Sequence, residues 1–249
     1  MSELIQDFNI SITVSKTNLK QLINIIKNTA KEARLNFTKN GITCKYIDPT
    51  HVYMIDMTLP QTFFIKYEIN TDGYISITNP KSLLKVIKDL DDTVQIHASS
   101  ENYVIQDGKS KFKFAQQEII ETEQPVPKLT YDVQIEILNL SSFVKDHKKI
   151  SKFCNYVIYS MTNHIMKLKF HTEDQAEGKL DESDNIKIIE CKEDSNQTYG
   201  LEYVLPFLKS LDKNTYLKLE YSERKPLRFE TRIGHDGVIH YYLAPRIEY

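Results

Sequence analysis

Lysines at helical spacing are the residues of this chain best placed to do chemistry. Lys16, Lys20, Lys27 and Lys31 fall at i, i+4, i+11 and i+15, Asn24 fills i+8, and no carboxylate occurs between Lys16 and Lys31. On a helix that spacing lines ammonium groups along one face. Lys81, Lys85 and Lys88 repeat the pattern, as do Lys145, Lys148, Lys149 and Lys152, and a further helical segment offers Lys209 alone. Such groups attract phosphates without regard to base sequence, driven by release of condensed counterions. Few arginines and no aromatic residues interleave with the stripes, which argues against base reading and base stacking.

The elements that carry these lysines follow from the apolar residues. Leu19, Leu22, Ile23 and Ile26 predict a helix over 16–30; Leu83, Leu84, Ile87 and Leu90 one over 80–90. Leu140, Phe143, Val144, His147 and Ile150 predict a third over 140–152, and Leu201, Val204, Leu205 and Leu208 a fourth over 200–211. Pro206 lacks the donor that a helix interior needs, so the fourth helix is expected to start only around 202–205. Strand-like runs fill the rest: 34–38, 42–47, 52–58, 63–67, 94–98, 103–106 and 111–114, then 133–138, 156–161, 165–170, 186–191, 216–221, 227–231 and 238–243. Asn40-Gly41, Asp107-Gly108 and Asp236-Gly237 mark hairpin turns.

The order strand, helix, several strands, helix, three strands occupies residues 8–116 and recurs over 131–244, with the first helices of the two halves about 124 residues apart and the second about 120. An internal duplication is expected, each half itself two βαβββ units. The stretch between, with Pro125 and Pro127 and no periodicity, reads as an extended linker. The expected domains are 1–116 and 131–249, joined by a connecting loop at 117–130.

With 41% apolar and 27% charged residues, the composition is that of a folded globular chain. No run approaches the roughly 18 apolar residues of a membrane span, and no basic segment followed by an apolar one suggests secretion. Cys44, Cys154 and Cys191 are widely spaced, the pattern of reduced thiols in an intracellular protein. The net charge of −2 conceals sorting: residues 173–194 hold nine carboxylates against three lysines, and Glu118, Glu121 and Glu123 lie in the linker. A basic surface with acids placed elsewhere suits a protein that surrounds DNA.

Motifs for catalysis are missing from the sequence: there is no GxGxxG, P-loop, GxSxG or HExxH, and no cysteine–histidine set at zinc spacing. His164 and His171, seven apart on a predicted strand, fall on opposite faces. Asp91-Asp92 reads as a turn after a helix. No catalytic residue, cofactor or metal ligand is expected.

Three strings carry a resemblance. Tyr241-Tyr242-Leu243-Ala244-Pro245-Arg246-Ile247-Glu248-Tyr249 runs an apolar strand into a proline that cannot extend it. Ile47-Asp48-Pro49-Thr50-His51-Val52-Tyr53-Met54 and Tyr199-Gly200-Leu201-Glu202-Tyr203-Val204-Leu205 precede it. Together, and in this order, they resemble segments of the sliding clamps of the proliferating-cell-nuclear-antigen type, and the resemblance extends over the whole length.

The resemblance implies an α+β DNA clamp fold: two similar domains, helices lining a ring and sheets outside. It implies a processivity factor that encircles duplex DNA and tethers enzymes, and the ring hole would be lined by Lys20, Lys27, Lys85, Lys88, Lys148, Lys152 and Lys209. Short peptides of DNA polymerase, clamp loader, flap endonuclease and DNA ligase would enter a pocket formed by Ile47, His51, Val52, Met54, Pro226, Leu227, Tyr242, Ala244, Pro245 and Ile247. Val126 and Pro127 would be its lid. Strand alternation alone would make some of Ile47, Val52 and Met54 plain core.

Self-association into a trimeric ring would pair the strand at Lys109, Lys111, Phe112, Lys113 and Phe114 with an acidic strand near Glu173, Asp174, Glu177 and Asp181. Gly178 and the small apolar bulk there leave a heterotrimeric or checkpoint-type clamp open, and a monomeric DNA-binding accessory factor is the rival from another class. The expected location is intracellular: cytoplasm if archaeal, nucleus if eukaryotic, with no membrane partner.

Overall fold

The structure, a computed structural model, describes residues 9–120, 125–172, 174 and 176–246. In chain order the first elements are β1 (Ile10–Ser15), α1 (Lys16–Thr29), β2 (Ala33–Thr38), β3 (Gly41–Ile47), β4 (Tyr53–Pro60), β5 (Lys66–Ile69), β6 (Gly73–Ile77), α2 (Pro80–Asp89), β7 (Thr93–Ala98), β8 (Asn102–Gln106) and β9 (Lys111–Ala115). They are followed by β10 (Val133–Ile137), α3 (Leu140–Ile150), β11 (Tyr156–Thr162), β12 (Ile165–His171), β13 (Glu177–Asp181), β14 (Ile186–Cys191), β15 (Ser195–Gly200), α4 (Leu201–Ser210), β16 (Leu217–Tyr221), β17 (Leu227–Ile233) and β18 (Gly237–Leu243).

Two compact units result: Met1–Tyr46, Asp56–Glu123 and Ile233–Ile239 form one, and Ile47–Ile55, Gln124–Arg232 and His240–Tyr249 the other. The duplication is visible in strand order. In the first half the orders are β5-β1-β7-β8-β9 and β6-β2-β3-β4; in the second they are β14-β10-β16-β17-β18 and β15-β11-β12-β13. Each element of one half thus has a counterpart in the same place in the other. Strand alternation puts Ile10, Ile12 and Val14 of β1 inward, as it does Val133, Ile135 and Ile137 of β10. The stripes of α1 (Leu19, Leu22, Ile23, Ile26) and α3 (Leu140, Phe143, His147, Ile150) are buried as their periodicity predicts, except that Val144, expected on the α3 face, is only half-buried.

Several elements differ from the sequence reading. The run at 63–67 is not a strand: Gln61–Phe63 form a 3-10 turn with Phe63 buried, Ile65 is left exposed, and β5 begins at Lys66. Phe63, Phe64 and Ile65 are apolar in succession and offer no alternation from which to read a register. Strands β6 and β15 were not anticipated; β15 (Ser-Asn-Gln-Thr-Tyr-Gly) is polar, yet it pairs with β11 from Tyr156↔Gly200 to Met161↔Ser195, so tertiary pairing overrides its weak propensity. Helix α4 starts at Leu201, not at 202–205, and contains Pro206. The missing N–H deprives the Glu202 carbonyl of its helical donor, and Glu202 lies on the exposed side where water can serve instead. His164 stands in a turn with φ 61 rather than on a strand, with His171 at the end of β12.

Of the predicted turns, Asn40-Gly41 depends on its glycine. Gly41 has φ 134, and a Cβ there would lie 2.2 Å from the Leu59 carbonyl oxygen. At Asp107-Gly108 the aspartate organises the turn, its Oδ1 accepting from Lys109 N (2.8 Å) and Ser110 N (2.6 Å). Its Oδ2 accepts from Asp91 N at 2.8 Å, and these backbone donors hold the Asp107 carboxyl below the usual range. Asp91 and Asp92 therefore have structural work: Asp92 in turn accepts from Lys16 N at 2.8 Å.

Candidate nucleic-acid interface and partner pocket

Among the described residues, side chains cap three of the four α-helices. Ser15 accepts from Asn18 N, Asn79 from Ser82 N and Asn139 from Ser142 N. No acidic residue occupies the first turn of α1, α2 or α3, so none of these helices offsets its own positive pole with a carboxylate there. Within the first unit α1 packs beside α2; within the second α3 packs beside α4. Lys20, Lys27, Lys81, Lys85, Lys88, Lys145, Lys148, Lys149, Lys152 and Lys209 are all exposed. Lys16 is placed differently: half-buried, its Nζ donates to the Leu90 carbonyl that ends α2. It ties two helices together, which helical spacing alone could not reveal.

The two strands expected at the subunit contact both end a sheet, β9 beside β8 and β13 beside β12. Lys111 and Lys113 are exposed and alternate with half-buried Phe112 and Phe114, the latter stacked on Tyr103 at 4.9 Å. Lys109 is exposed in the preceding turn. On β13, Glu177 and Asp181 are exposed, as is Asp174 before it; Glu173 lies outside the described residues. Gly178 sits opposite Phe170, whose ring would be 2.2 Å from any Cβ added there. The glycine therefore makes room for that ring.

Within the second unit the Asp48–Val52 loop docks on the start of α4. Buried Asp48 accepts from Thr50 N at 3.0 Å and from the Thr50 hydroxyl, and His51 N donates to the Asp48 carbonyl at 2.7 Å. His51 is exposed with φ 59. Thr50 also hydrogen-bonds to Tyr203, whose ring lies 5.7 Å from Tyr53. Tyr53 stacks on Tyr241 at 5.5 Å, and the Tyr241 hydroxyl donates to the Tyr203 carbonyl at 3.1 Å. Past the end of β18, Ala244 N donates to Val52 O (2.8 Å) and Arg246 N to Thr198 O (2.9 Å). Loop, helix start and tail thus become one surface. Sequence reasoning missed the roles of Tyr53 and Tyr203, although both stand inside the strings quoted above.

The pocket residues divide into surface and support. Ile47, Val52, Val126, Pro127, Pro226, Ala244 and Pro245 are half-buried and His51 is exposed. Met54, Leu227 and Tyr242 are 7%, 0% and 4% exposed, so they belong to the core beneath; strand alternation turns them inward. Ile247 lies outside the described residues. The strap before β10 is held by Lys225 Nζ, which donates to the Thr130 carbonyl at 2.9 Å.

Beneath Tyr242 runs a buried ion network. Glu220, 2% exposed, accepts from Arg228 Nε and from Lys218 Nζ (2.8 Å); Arg228 also reaches Tyr242 and lies 5.5 Å from the Tyr131 ring centre. Burial pushes the Glu220 carboxyl up, but hydrogen bonds from Arg228 and Lys218 and their charges outweigh it, and it titrates below its usual range. Glu220→Ala is expected to cost about 3 kcal/mol, because Arg228 is left half-buried without its partner. The wild-type contribution is present above the unfolded carboxylate pKa and is lost as pH falls, so denaturant melts of the two chains should differ at neutral pH and converge at acid pH.

Two family profiles match the chain, "Proliferating cell nuclear antigen, N-terminal domain" over residues 11–124 and the C-terminal domain over 125–246. A relative named DNA polymerase sliding clamp, from Nitrosopumilus maritimus (strain SCM1), is 34% identical over 254 residues, covering 95% of this chain and 97% of its own. The chain belongs to the proliferating cell nuclear antigen family of DNA sliding clamps. The clamp fold extends to solved structures. The antigen from Entamoeba histolytica superposes with a TM-score of 0.87 at 21% identity, over 96% of this chain and 100% of that one. A. fulgidus PCNA bound to the C-terminal region of FEN-1 gives 0.84 at 20% identity, over 96% and 99%. As a sliding clamp, the chain is expected to act by holding DNA and partners, and the capped, lysine-bearing helices and the tyrosine-supported loop are its candidate surfaces.

Proposed function

We propose that this chain is the subunit of a ring that encircles duplex DNA and tethers replication and repair enzymes to it, itself performing no chemistry. The observation that carries the reading is the set of exposed lysines on α1, α2 and α3, on helices whose first turns hold no acid. Such a surface holds phosphates loosely and in any register, which is what sliding requires. Residues 1–116 and 131–249 act as the two clamp domains, with 117–130 the connecting loop between them. Short peptides of polymerase, clamp loader, flap endonuclease and ligase bind over Ile47, His51, Val52, Pro226, Ala244 and Pro245, with Val126 and Pro127 as lid. An apolar slot with a rigid rim suits aromatic anchors of a peptide. As a clamp acting on DNA, the protein works inside the cell. The deciding experiment is retention on DNA after loading: the chain should stay on a nicked circle and run off once that circle is cut. Equal retention on both would refute encirclement.

Ring closure pairs β9 with β13 of a neighbour, Lys109, Lys111 and Lys113 against Asp174, Glu177 and Asp181. Contacts between exposed charges are screened over about 8 Å at physiological salt. The trimer mass at low protein concentration is therefore expected to give way to monomer as salt rises, read by native mass spectrometry or light scattering. An unchanged trimer across the series would mean that apolar contacts dominate. The small apolar bulk of β13, with Gly178 as its second residue, favours a second reading, a mixed ring with sister subunits. A chain that remains monomeric alone but closes with a related subunit would establish it.

A further inference from the structure

Past Pro245, at the end of the proposed peptide pocket, a further groove opens within the second unit. It has a volume of about 450 Å³ and is lined by Ile158, Asn196, Thr198 and Pro245, with Arg224 and Arg246 beside them. The fold positions both arginines. Arg246 N donates to Thr198 O at 2.9 Å, its Nη1 donates to Asn155 Oδ1 at 3.0 Å, and its guanidinium lies 5.1 Å from the Tyr156 ring centre. Arg224 stands at φ 58, a left-handed conformation that glycine would adopt with less strain, and its backbone N–H donates to Gln197 Oε1 at 2.6 Å. Strand pairing sets Lys169 beside Ile158 and Lys167 beside Ser160 on the same face. Against these cations stand Glu223, 3.5 Å from Arg224, and Asp181, directly across from Lys167. The Arg224–Glu223 pair is exposed on both sides and therefore weak, which leaves Arg224 able to take another anion.

The groove also borders a sheet edge, because β15 is the last strand of its sheet. The Thr198 carbonyl points away from β11 toward Arg246, so the N–H and C=O of Asn196, two residues earlier, face the same side. Among the described residues Asn196 has no backbone partner on that side. The internal duplication shows how such an edge can be closed. In the first half β6 stands in the place of β15, and Gln116, just past β9, in that of Ala244, just past β18. The Gln116 side-chain amide accepts from Ser76 N at 2.9 Å and donates to Tyr74 O at 2.7 Å, filling the edge as a strand would. Ala244 has no amide to offer. We propose that the groove is an anion-selective extension of the peptide pocket: an extended acidic stretch flanking a partner's anchor lies along Asn196 with its carboxylates on Arg224 and Arg246. A guanidinium fork takes a carboxylate through two parallel hydrogen bonds, and a sheet edge takes an extended main chain. The proposal rests on the peptide-pocket reading and adds to it a choice among partners by the charge of their flanks.

The test titrates the full chain with a fluorescent flap-endonuclease peptide made with a Glu-Glu, Gln-Gln or Lys-Lys flank, placed before the anchor in one set and after it in another. On one side of the anchor the acidic flank should bind about tenfold more tightly than the amide flank, and the lysine flank more weakly than either. The difference should shrink as salt rises. Arg224→Gly keeps the left-handed turn without strain, and Arg246→Gln keeps a donor toward Asn155. Each should cut the acidic preference about threefold and leave amide-flank affinity unchanged, which also serves as the folding control. Equal binding of the three flanks, or a preference that survives loss of both arginines, would overturn the groove alone. No binding by any form would overturn the peptide pocket and the groove with it. Weaker duplex DNA binding by both variants, with the flank preference intact, would assign the arginines to nucleic acid instead.

Discussion

Reversal of Lys20, Lys27, Lys85 and Lys148 to glutamate is expected to abolish DNA-dependent stimulation of a polymerase while leaving the chain folded. All four side chains are exposed, and among the described residues none forms an ion pair that its loss would break. Each neutralised phosphate contributes about 0.9 to the slope of log affinity against log salt, so losing four contacts should flatten that slope by roughly 3 to 4. Non-specific affinity should drop on the order of 100-fold at physiological salt. Anisotropy titrations on duplex DNA over a salt series measure both quantities, and binding of a partner peptide serves as the folding control. Unchanged affinity would place DNA on another surface; loss of peptide binding as well would show the lysines to be structural. Lys16→Glu should behave differently, because its ammonium serves the Leu90 carbonyl: its loss should lower stability more than affinity.

Tyr241→Ala should produce the largest loss of stability connected with the pocket, about 3 to 5 kcal/mol. The ring is 1% exposed, lies 4.5 Å from Phe207 at an interplanar angle of 11°, and stacks on Tyr53 at 5.5 Å. Removing it leaves a cavity in an aromatic stack that continues to Phe229. For a chain of this size the midpoint of thermal unfolding should fall by roughly 10 °C. Tyr241→Phe keeps the stack and removes only the bond to the Tyr203 carbonyl, at a cost of about 1 kcal/mol. Peptide affinity should follow the same order, since Tyr53 and Tyr203 support the Asp48–Val52 loop. Calorimetry on both variants checks the first claim and peptide titration the second. If Tyr241→Ala binds peptide as wild type does, the loop does not depend on that stack.

Much of the architecture was legible because periodicity and burial are the same fact seen twice. The stripe at Leu19, Leu22, Ile23 and Ile26 can be satisfied only as a helix with one face inward, and α1 buries those residues. The alternation of Lys111, Phe112, Lys113 and Phe114 likewise survives in β9. Reading broke down where local preference and final environment disagree. The polar β15 is a strand because β11 offers it a ladder. The apolar 63–65 stretch is not strand: Phe63 closes a 3-10 turn, and β5 begins only at Lys66.

Residue types and spacing alone determined the four helices, the internal repeat, the sorting of charge and the lack of catalytic motifs, since each is local and recurs within a few turns or strands. Tertiary structure decided which lysine is diverted into a helix-to-helix bond, and which pocket residues are floor rather than rim. These are pairings between residues distant along the chain, such as Lys16 with Leu90, and no local pattern encodes them. They depend on where folding delivers each backbone group and on what water it has lost there.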